Sequence, residues 1–198
     1  LEKPQNGEIF VDGKNIKTIK NYSAYMPQKD LLFPWRTIEK NICLAPEIQK
    51  ADKNETKIKA EAILKEVGLW DYKNKYPRDL SGGMRQRASF ARTLLSGGNL
   101  MLLDEPFSAL DSITRISLQE WLLKEWEKHK KTILFVTHDV EEAIFLSQKI
   151  FVVSDRPITH FEEFKIDLPY PRNRADMARS DIAALKEMLI KHLRQEEE

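Results

Sequence analysis

Two adjacent carboxylates, Asp104 and Glu105, directly follow an apolar run at residues 100–103. A continuous run of this length predicts a strand that is covered on both faces of a parallel sheet. Carboxylates next to a core are costly unless a cation or strong hydrogen bonds compensate for the lost hydration. A magnesium ion at the carboxyl end of the strand would explain their position. A solvated turn after the strand would give the same pattern, so the pair alone leaves both alternatives open.

Ser81, Gly82 and Gly83 stand at the predicted start of an amphipathic helix. Unpaired backbone N–H groups, the helix dipole and the close approach that glycine allows together make such a helix start suitable for binding a phosphate. Ser81 could equally be a plain N-cap, with the two glycines as a flexible entry to the helix. The motif by itself does not decide between a phosphate site and a cap.

The elements that must position these residues follow a βαβ pattern. Apolar residues recur at helical spacing over residues 57–67 and again over residues 81–95. The apolar runs at residues 100–103 and 132–136 predict parallel strands, and the segment 115–129 between them suits a crossover helix. The chain is therefore predicted to be an α/β protein.

Further elements are predicted toward both ends of the chain. Residues 8–11 followed by a turn at Asp12 and Gly13 predict an antiparallel hairpin. Further strands are predicted at residues 22–26 and 150–153. A C-terminal amphipathic helix is indicated by four apolar residues at helical spacing. These are Ile182, Leu185, Leu189 and Leu193.

Composition limits the classes of function. The 198 residues carry 32 Lys and Arg against 31 Asp and Glu, so the formal net charge of +1 gives no electrostatic reason to expect a nucleic-acid partner. The single cysteine, Cys43, cannot form an internal disulfide, which favours a reducing compartment. No apolar run has the length of a membrane span. Because the sequence opens on Leu1 and not on Met, we expect the natural N-terminus to lie upstream.

Five short motifs occur together in one order, and this order resembles the ATP-binding subunits of ABC transporters. The resemblance covers nearly the whole chain, from Gly7 to about Pro171. The five are Gln28 within residues 26–28 for the Q-loop, residues 80–87 for the signature motif, residues 100–105 for Walker B, residues 108–111 for the D-loop, and His138 within residues 136–139 for the switch histidine.

The resemblance implies a P-loop NTPase-like ABC ATPase fold. This fold combines a RecA-like core with a parallel sheet, an α-helical subdomain that carries the signature motif, and an antiparallel β hairpin. We expect one domain over residues 1–198, truncated at its N-terminus. Its expected parts are a β and Q-loop region at 1–28, a helical subdomain at 29–95, a core with Walker B, D-loop and switch histidine at 96–155, and a C-terminal tail and helix at 156–198.

The family also implies roles for single residues toward ATP and Mg²⁺. Glu105 is expected to be the general base that deprotonates the attacking water, and Asp104 to hold magnesium through its water shell. Gln28 is expected to contact both the metal and that water, and His138 the γ-phosphate. A neutralising cation and an aligned water are what phosphoryl transfer requires. A histidine after a strand can also be a packed residue without chemistry.

By the same resemblance the active site is shared between two chains. Ser81, Gly82 and Gly83 are expected to meet a nucleotide that is held by a second ATPase subunit, most simply in a homodimer. Asp111 would lie at that interface, or be only a helix N-cap. The apolar turn at residues 33–35 would receive the transmembrane permease subunits, or pack locally. These partners imply a peripheral location on the cytoplasmic face of the cell membrane.

A phosphate-binding loop of the form G-x-x-x-x-G-K-[ST] is not found in the sequence. The only Gly-Lys pair, Gly13 and Lys14, is followed by Asn15, and Gly7 stands one residue too far upstream. The Walker A region and the adenine-stacking aromatic are therefore expected upstream of Leu1, and the chain as given is predicted to be inactive alone.

Two segments narrow the resemblance to one group of importers. Residues 31–42 and 166–172 resemble the ATPases that import nitrate, sulfonate, taurine and similar small solutes, although residues 155–159 depart from that pattern. Two alternatives stay open, which are a non-transport ABC ATPase and a catalytically inactive truncated cassette.

Overall fold

The strands of the described residues are short and lie in three separate sheets. A computed structural model describes residues 7–19, 22–153 and 161–194. The unusual stretch at 155–159 and the opening residues 1–4 therefore lie outside the described residues. The strands are β1 (Phe10–Val11), β2 (Lys14–Asn15), β3 (Ser23–Met26), β4 (Leu100–Asp104), β5 (Thr132–Val136), β6 (Lys149–Val152) and β7 (Glu162–Lys165).

Helices fill most of the sequence between β3 and β6. None of the helices described combines the length and apolar character needed to cross a bilayer. The helices are α1 (Ile38–Ile42), α2 (Leu44–Ile48), α3 (Lys53–Glu66), α4 (Gly82–Leu95), α5 (Ser112–His129), α6 (Val140–Leu146) and α7 (Ser180–Arg194), with short 3-10 turns at Ile16–Thr18, Trp70–Tyr72, Pro77–Asp79 and Arg174–Ala178.

The central sheet has the strand order β3-β4-β5, and all of its strand pairs are parallel. Helix α5 joins β4 to β5, which confirms the predicted βαβ unit. The hairpin β1-β2 is antiparallel, as the Asp12-Gly13 turn predicts. A second antiparallel pair, β6 with β7, was not predicted, because only β6 shows an apolar run.

Helices α3 and α4 begin and end where local residue types predict. The Asp52 side chain caps α3 and accepts from the Glu55 N–H, and Gly68 follows α3 with a φ of 64°. Only glycine adopts that left-handed conformation without steric cost, so it ends the helix. The predicted helix at residues 57–67 is confirmed and is longer at its start.

The apolar core has two parts. The larger cluster joins the inner face of the central sheet to α1, α3, α4 and α5, with Phe90 and Phe107 in edge-to-face contact at 5.5 Å between ring centroids. The smaller cluster brings α6, β6 and the C-terminal segment together around Ile144, Val152 and Leu189. The division of the chain into four parts remains a prediction.

One face of β5 differs from the sequence-based expectation of strands covered on both sides. Ile133 and Phe135 face the core, whereas Leu134 and Val136 are 55% and 52% exposed. Leu134 belongs to a register row that crosses the sheet to Tyr25, which is 47% exposed. Within the residues described, helices therefore cover the inner face of this sheet, and the other face is open at β3 and β5.

Candidate functional site

The carboxyl ends of the three parallel strands bring Gln28, Glu105 and His138 to one edge of the sheet. Met26 of β3, Leu103 of β4 and Phe135 of β5 lie in one register row. Glu105 directly follows β4, and Gln28 and His138 each come two residues after the end of their strands. Ligands of open α/β sheets bind at this edge.

The Glu105 carboxylate is the meeting point of the other two side chains. Gln28 Nε2 donates to Glu105 Oε2 at 3.1 Å, and His138 Nδ1 lies 3.2 Å from Glu105 Oε1. The Glu105 side chain is 23% exposed, whereas that of His138 is 75% exposed. A carboxylate held through both oxygens, next to an open imidazole, is suited to binding a water molecule and accepting its proton.

The backbone of Glu105 is strained. Its φ is 46°, in the left-handed region that non-glycine residues adopt at a cost of about 1–2 kcal/mol. The Glu105 N–H donates to the Val136 carbonyl at 2.9 Å, and the Glu105 carbonyl accepts from Ser108 Oγ at 3.0 Å and from Gln86 Nε2 at 2.9 Å. These bonds hold the residue in the turn that follows β4.

Asp104 is the last residue of β4 and pairs in register with Val136. Within residues 7–19, 22–153 and 161–194, no three His, Cys, Asp or Glu side chains are grouped as metal ligands. Magnesium is commonly bound by one or two carboxylates, with waters and substrate phosphates as its other ligands. Asp104, together with the amide of Gln28, which is bonded to the adjacent Glu105, fits that kind of site because the two residues supply only part of a ligand set.

The predicted phosphate-binding helix start is present as a capped N-terminus. Ser81 is the N-cap of α4, and its hydroxyl accepts from the Met84 N–H at 3.3 Å. Ser81 and Gly82 are exposed, whereas Gly83 is packed so closely that a Cβ there would lie 3.0 Å from the Ala109 carbonyl oxygen. The cap is confirmed, and a role in anion binding stays a prediction.

Asp111 also caps a helix. Its carboxylate accepts from the Thr114 N–H at 3.0 Å at the start of α5, and this hydrogen bond holds the pKa of the Asp111 carboxyl below its usual value. In the described part of the chain, no hydrogen bond joins Asp111 or residues 81–83 to the group formed by Gln28, Glu105 and His138. The hydrogen bonds thus divide the predicted site residues into the group of Gln28, Glu105 and His138 and two helix starts.

Two buried polar residues near the site were missed by the sequence analysis. Gln86 is 5% exposed and bonds to the turn that contains Glu105. Residues 89, 90 and 93 are also buried, so α4 has a second buried face of mixed composition. The buried positions of this face follow the helical spacing i, i+3, i+4 and i+7, but Gln, Ser and Thr give no apolar pattern that the sequence could reveal. Phe90 is the one apolar residue among these four positions.

Glu142 is the second missed residue, and it supports the loop that carries His138. It is 6% exposed and accepts hydrogen bonds from Gln119 Nε2 at 2.8 Å and Thr137 Oγ1 at 2.7 Å. Burial raises the pKa of the Glu142 carboxyl, and these two hydrogen bonds act in the opposite direction. Thr137 in turn accepts from the Asp139 N–H at 3.0 Å, which fixes both neighbours of His138.

Helix α4 also holds the segment that follows Gln28. Arg85 Nε donates to Asp30 Oδ2 at 3.0 Å, and Arg92 donates to the carbonyls of Asp30 and Leu31 at 2.8 and 2.7 Å. Leu31 has a φ of 44°, so the chain turns sharply there. The apolar turn at residues 33–35 follows directly.

That turn presents Trp35 to solvent. Trp35 is 71% exposed, and its ring lies 5.2 Å from that of the half-buried Phe33. The fully buried Asn41 side chain hydrogen-bonds to the backbone of Phe33, Arg36 and Thr37. The exposure of Trp35 is therefore fixed by a polar anchor in α1.

Comparison with known proteins gives consistent matches. The family model for ABC transporter matches residues 1–108. The chain is 46% identical to the formylaminopyrimidine import ATP-binding protein ThiZ of Halalkalibacterium halodurans, over 84% of this chain and 64% of that protein. It is 42% identical to the aliphatic sulfonates import ATP-binding protein SsuB of Bacillus cereus, over 92% of this chain and 71% of that protein.

A solved structure agrees with these matches. The dimeric post-hydrolysis structure of the ATP-binding cassette MJ0796 bound to ADP and Pi is 28% identical, with a TM-score of 0.72 over 85% of this chain and 77% of that one. The predicted ABC ATPase fold is thereby confirmed. The chain spans slightly less than two thirds of several relatives, at 64% of the ThiZ protein and 66% of an uncharacterised ATP-binding protein of Methanocaldococcus jannaschii. The extent and agreement of these matches show that the chain belongs to the ABC transporter family.

Proposed function

We propose that this chain forms part of the ATP-binding and ATP-hydrolysing subunit of an ABC importer for a small solute. The observation that carries the proposal is the Glu105 carboxylate, which is held between Gln28 and His138 at the carboxyl edge of the sheet. The names of the similar import ATP-binding proteins support the direction of transport.

Hydrolysis would proceed by general-base catalysis at Glu105. Its carboxylate accepts a proton from the water that attacks the γ-phosphorus of ATP, while the bond from that phosphorus to the bridging oxygen breaks and ADP leaves. Gln28 orients the carboxylate and the water, and His138, largely open to solvent, donates to the phosphate. Asp104 and Gln28 would hold Mg²⁺, which when bound neutralises charge on the transferred phosphoryl group.

A complete site would need a second copy of the subunit. By the family resemblance, residues 81–83 at the start of α4 would meet a nucleotide that is held by the partner. Asp111 would lie at the same interface. The dimeric structure of the similar cassette MJ0796 supports this arrangement. The expected assembly is a homodimer.

The exposed Trp35 turn would bind the transmembrane permease subunits, and the ATPase would then lie peripherally on the cytoplasmic face of the membrane. Anchored aromatic side chains often dominate such interfaces. The solute would be nitrate, a sulfonate, taurine or a similar small molecule. The sulfonate relative supports this class, and the formylaminopyrimidine relative extends it. A non-transport ABC ATPase is a second candidate, but the import names of these relatives disfavour it.

The substitution Glu105→Gln tests the catalytic assignment. The amide keeps the side-chain shape but cannot accept the proton, so ATP turnover of the assembled transporter should fall by a factor of about 100 or more. ATP binding should persist, and ATP should hold the subunits together as a dimer in size-exclusion chromatography.

The matched control is Glu55→Gln, which makes the same chemical change on an exposed face of α3. It should leave turnover within about twofold of the unaltered protein, because surface changes away from such sites have small effects. If Glu105→Gln retains normal turnover, Glu105 is not the base. Absence of turnover in the unaltered protein would instead support the inactive-cassette alternative.

A further inference from the structure

The nitrogen and the oxygen of the Gln86 side-chain amide are both hydrogen-bonded to one short turn. Its Nε2 donates to the Glu105 carbonyl at 2.9 Å and to Ser108 Oγ at 3.2 Å, and its Oε1 accepts from the Ala109 N–H at 2.7 Å. The side chain is buried, although Ser108 and Ala109 are exposed. A buried amide that is fully bonded specifies one geometry for its partners, because any displacement leaves polar groups unpaired.

The turn that Gln86 contacts begins at Glu105, whose left-handed φ of 46° needs support from outside the turn. The Glu105 carbonyl receives three hydrogen bonds, and two of them come from Ser108 in the turn itself, through its N–H at 3.3 Å and its Oγ at 3.0 Å. Gln86 supplies the third from a separate helix. The orientation of the peptide after Glu105, and with it the direction of the carboxylate, is therefore tied to α4.

Gly83 makes a second link between α4 and the same turn. It lies almost one helical turn before Gln86, and its Cα approaches the Ala109 carbonyl so closely that an added Cβ would be 3.0 Å from that oxygen. The helix start at residues 81–83 and the turn at residues 105–109 thus contact each other at backbone distance. Only four residues, all of them in α4, separate Ser81 from Gln86.

We propose that Gln86 is a positioning residue that sets the orientation of Glu105 and couples it to the helix start at residues 81–83. The proposal rests on the role of Glu105 given above. In a dimer, the helix start would contact the partner's nucleotide, so the occupancy of one site would alter the geometry of the general base that belongs to the other site.

Two substitutions separate the parts of this coupling. Gln86→Glu keeps an acceptor for the Ala109 N–H but removes the donor to the Glu105 carbonyl. Gln86→Met keeps the approximate length and removes both. Thr93→Val is the control, because it deletes one buried hydrogen bond on the same helix, from Thr93 Oγ1 to the Ser89 carbonyl at 3.0 Å, far along α4 from the turn.

Hydrogen exchange of backbone amides tests the coupling without nucleotide. Because Ala109 is exposed, the protection of its amide depends on the bond to Gln86. Gln86→Met should accelerate exchange at Ala109 by about tenfold or more relative to amides of β4, whereas Gln86→Glu and Thr93→Val should leave that ratio unchanged. If Gln86→Met accelerates amide exchange equally at Ala109 and in β4, Gln86 is only a structural residue and the proposal fails.

Turnover of the assembled transporter supplies the second measurement. Both Gln86 variants should lower kcat by about 10- to 100-fold with KM within about twofold, since a small misplacement of a catalytic group has effects of this size. Thr93→Val should keep kcat. Normal kcat in Gln86→Glu would overturn the positioning role. An unaltered transporter that hydrolyses no ATP would refute the proposed function, while the exchange data would still decide the coupling.

Discussion

Replacing Asn41 by leucine is expected to release the turn that presents Trp35. Asn41 is fully buried, and its Oδ1 accepts from the Phe33 N–H at 2.7 Å. Its Nδ2 donates to the carbonyls of Phe33, Arg36 and Thr37 at 3.1, 3.0 and 3.0 Å. Leucine has a similar volume, so the main change is the loss of these four hydrogen bonds.

The size of the effect follows from which groups lose their last partner. The Phe33 carbonyl also accepts from the Arg36 N–H, and the Thr37 carbonyl also accepts from the Asn41 N–H. The Phe33 N–H and the Arg36 carbonyl have no such second bond in the part of the chain that the structure describes. Two orphaned groups at about 1–2 kcal/mol each give a loss of roughly 2–4 kcal/mol.

Urea unfolding followed by circular dichroism measures this loss directly. For a chain of this size the expected loss corresponds to a decrease in Tm of about 5–10 °C. Trp35→Ala is the comparison, because a side chain of which 71% is exposed contributes little to stability. A loss below about 1 kcal/mol for Asn41→Leu, or an equal loss for both variants, would refute the anchor.

Three further outcomes are expected. Trp35→Ala should weaken binding of the permease subunits by about 2 kcal/mol in a pull-down titration, with unchanged basal turnover; reduced stability of the free subunit would indicate a packing role instead. Burial raises the pKa of Glu142 above its usual 4.5, so the native state binds the extra proton and the free energy of unfolding falls as pH rises through the folded-state pKa. In urea melts from about pH 4 to about pH 8, Glu142→Gln should remove that slope, which is at most about 1.4 kcal/mol per pH unit. Identical slopes for the variant and the unaltered protein would contradict this expectation. Arg172→Met should lower the free energy of unfolding by about 3 kcal/mol, because the buried guanidinium donates to carbonyls at the end of α6, and a change below about 1 kcal/mol would contradict this.

The sequence predicted elements whose signals are local. The start of α4 follows from Ser81, and β4 and β5 follow from their continuous apolar runs. The grouping of Gln28, Glu105 and His138 was expected from the family resemblance alone, because the sequence did not predict that β3 lies in the parallel sheet beside β4.

Features that depend on distant partners could not be predicted. Gln86 and Glu142 are polar, and their burial is explained only by hydrogen-bond partners elsewhere in the chain. The strand β7 contains Glu162, Glu163 and Lys165 and pairs only because β6 offers an edge. The open face of β5 contradicts its apolar sequence, because burial depends on which elements pack there and not on residue type alone.

Folding alone would not select glutamate at position 105. With a φ of 46°, glycine would relieve strain of about 1–2 kcal/mol at this position. A library sorted for thermal stability should therefore enrich glycine there, whereas one sorted for transport should retain glutamate. Such opposite rankings are the mark of a stability–activity trade-off. A redesign of this protein that optimised stability alone would favour glycine at position 105, and would thereby lose the proposed catalytic base.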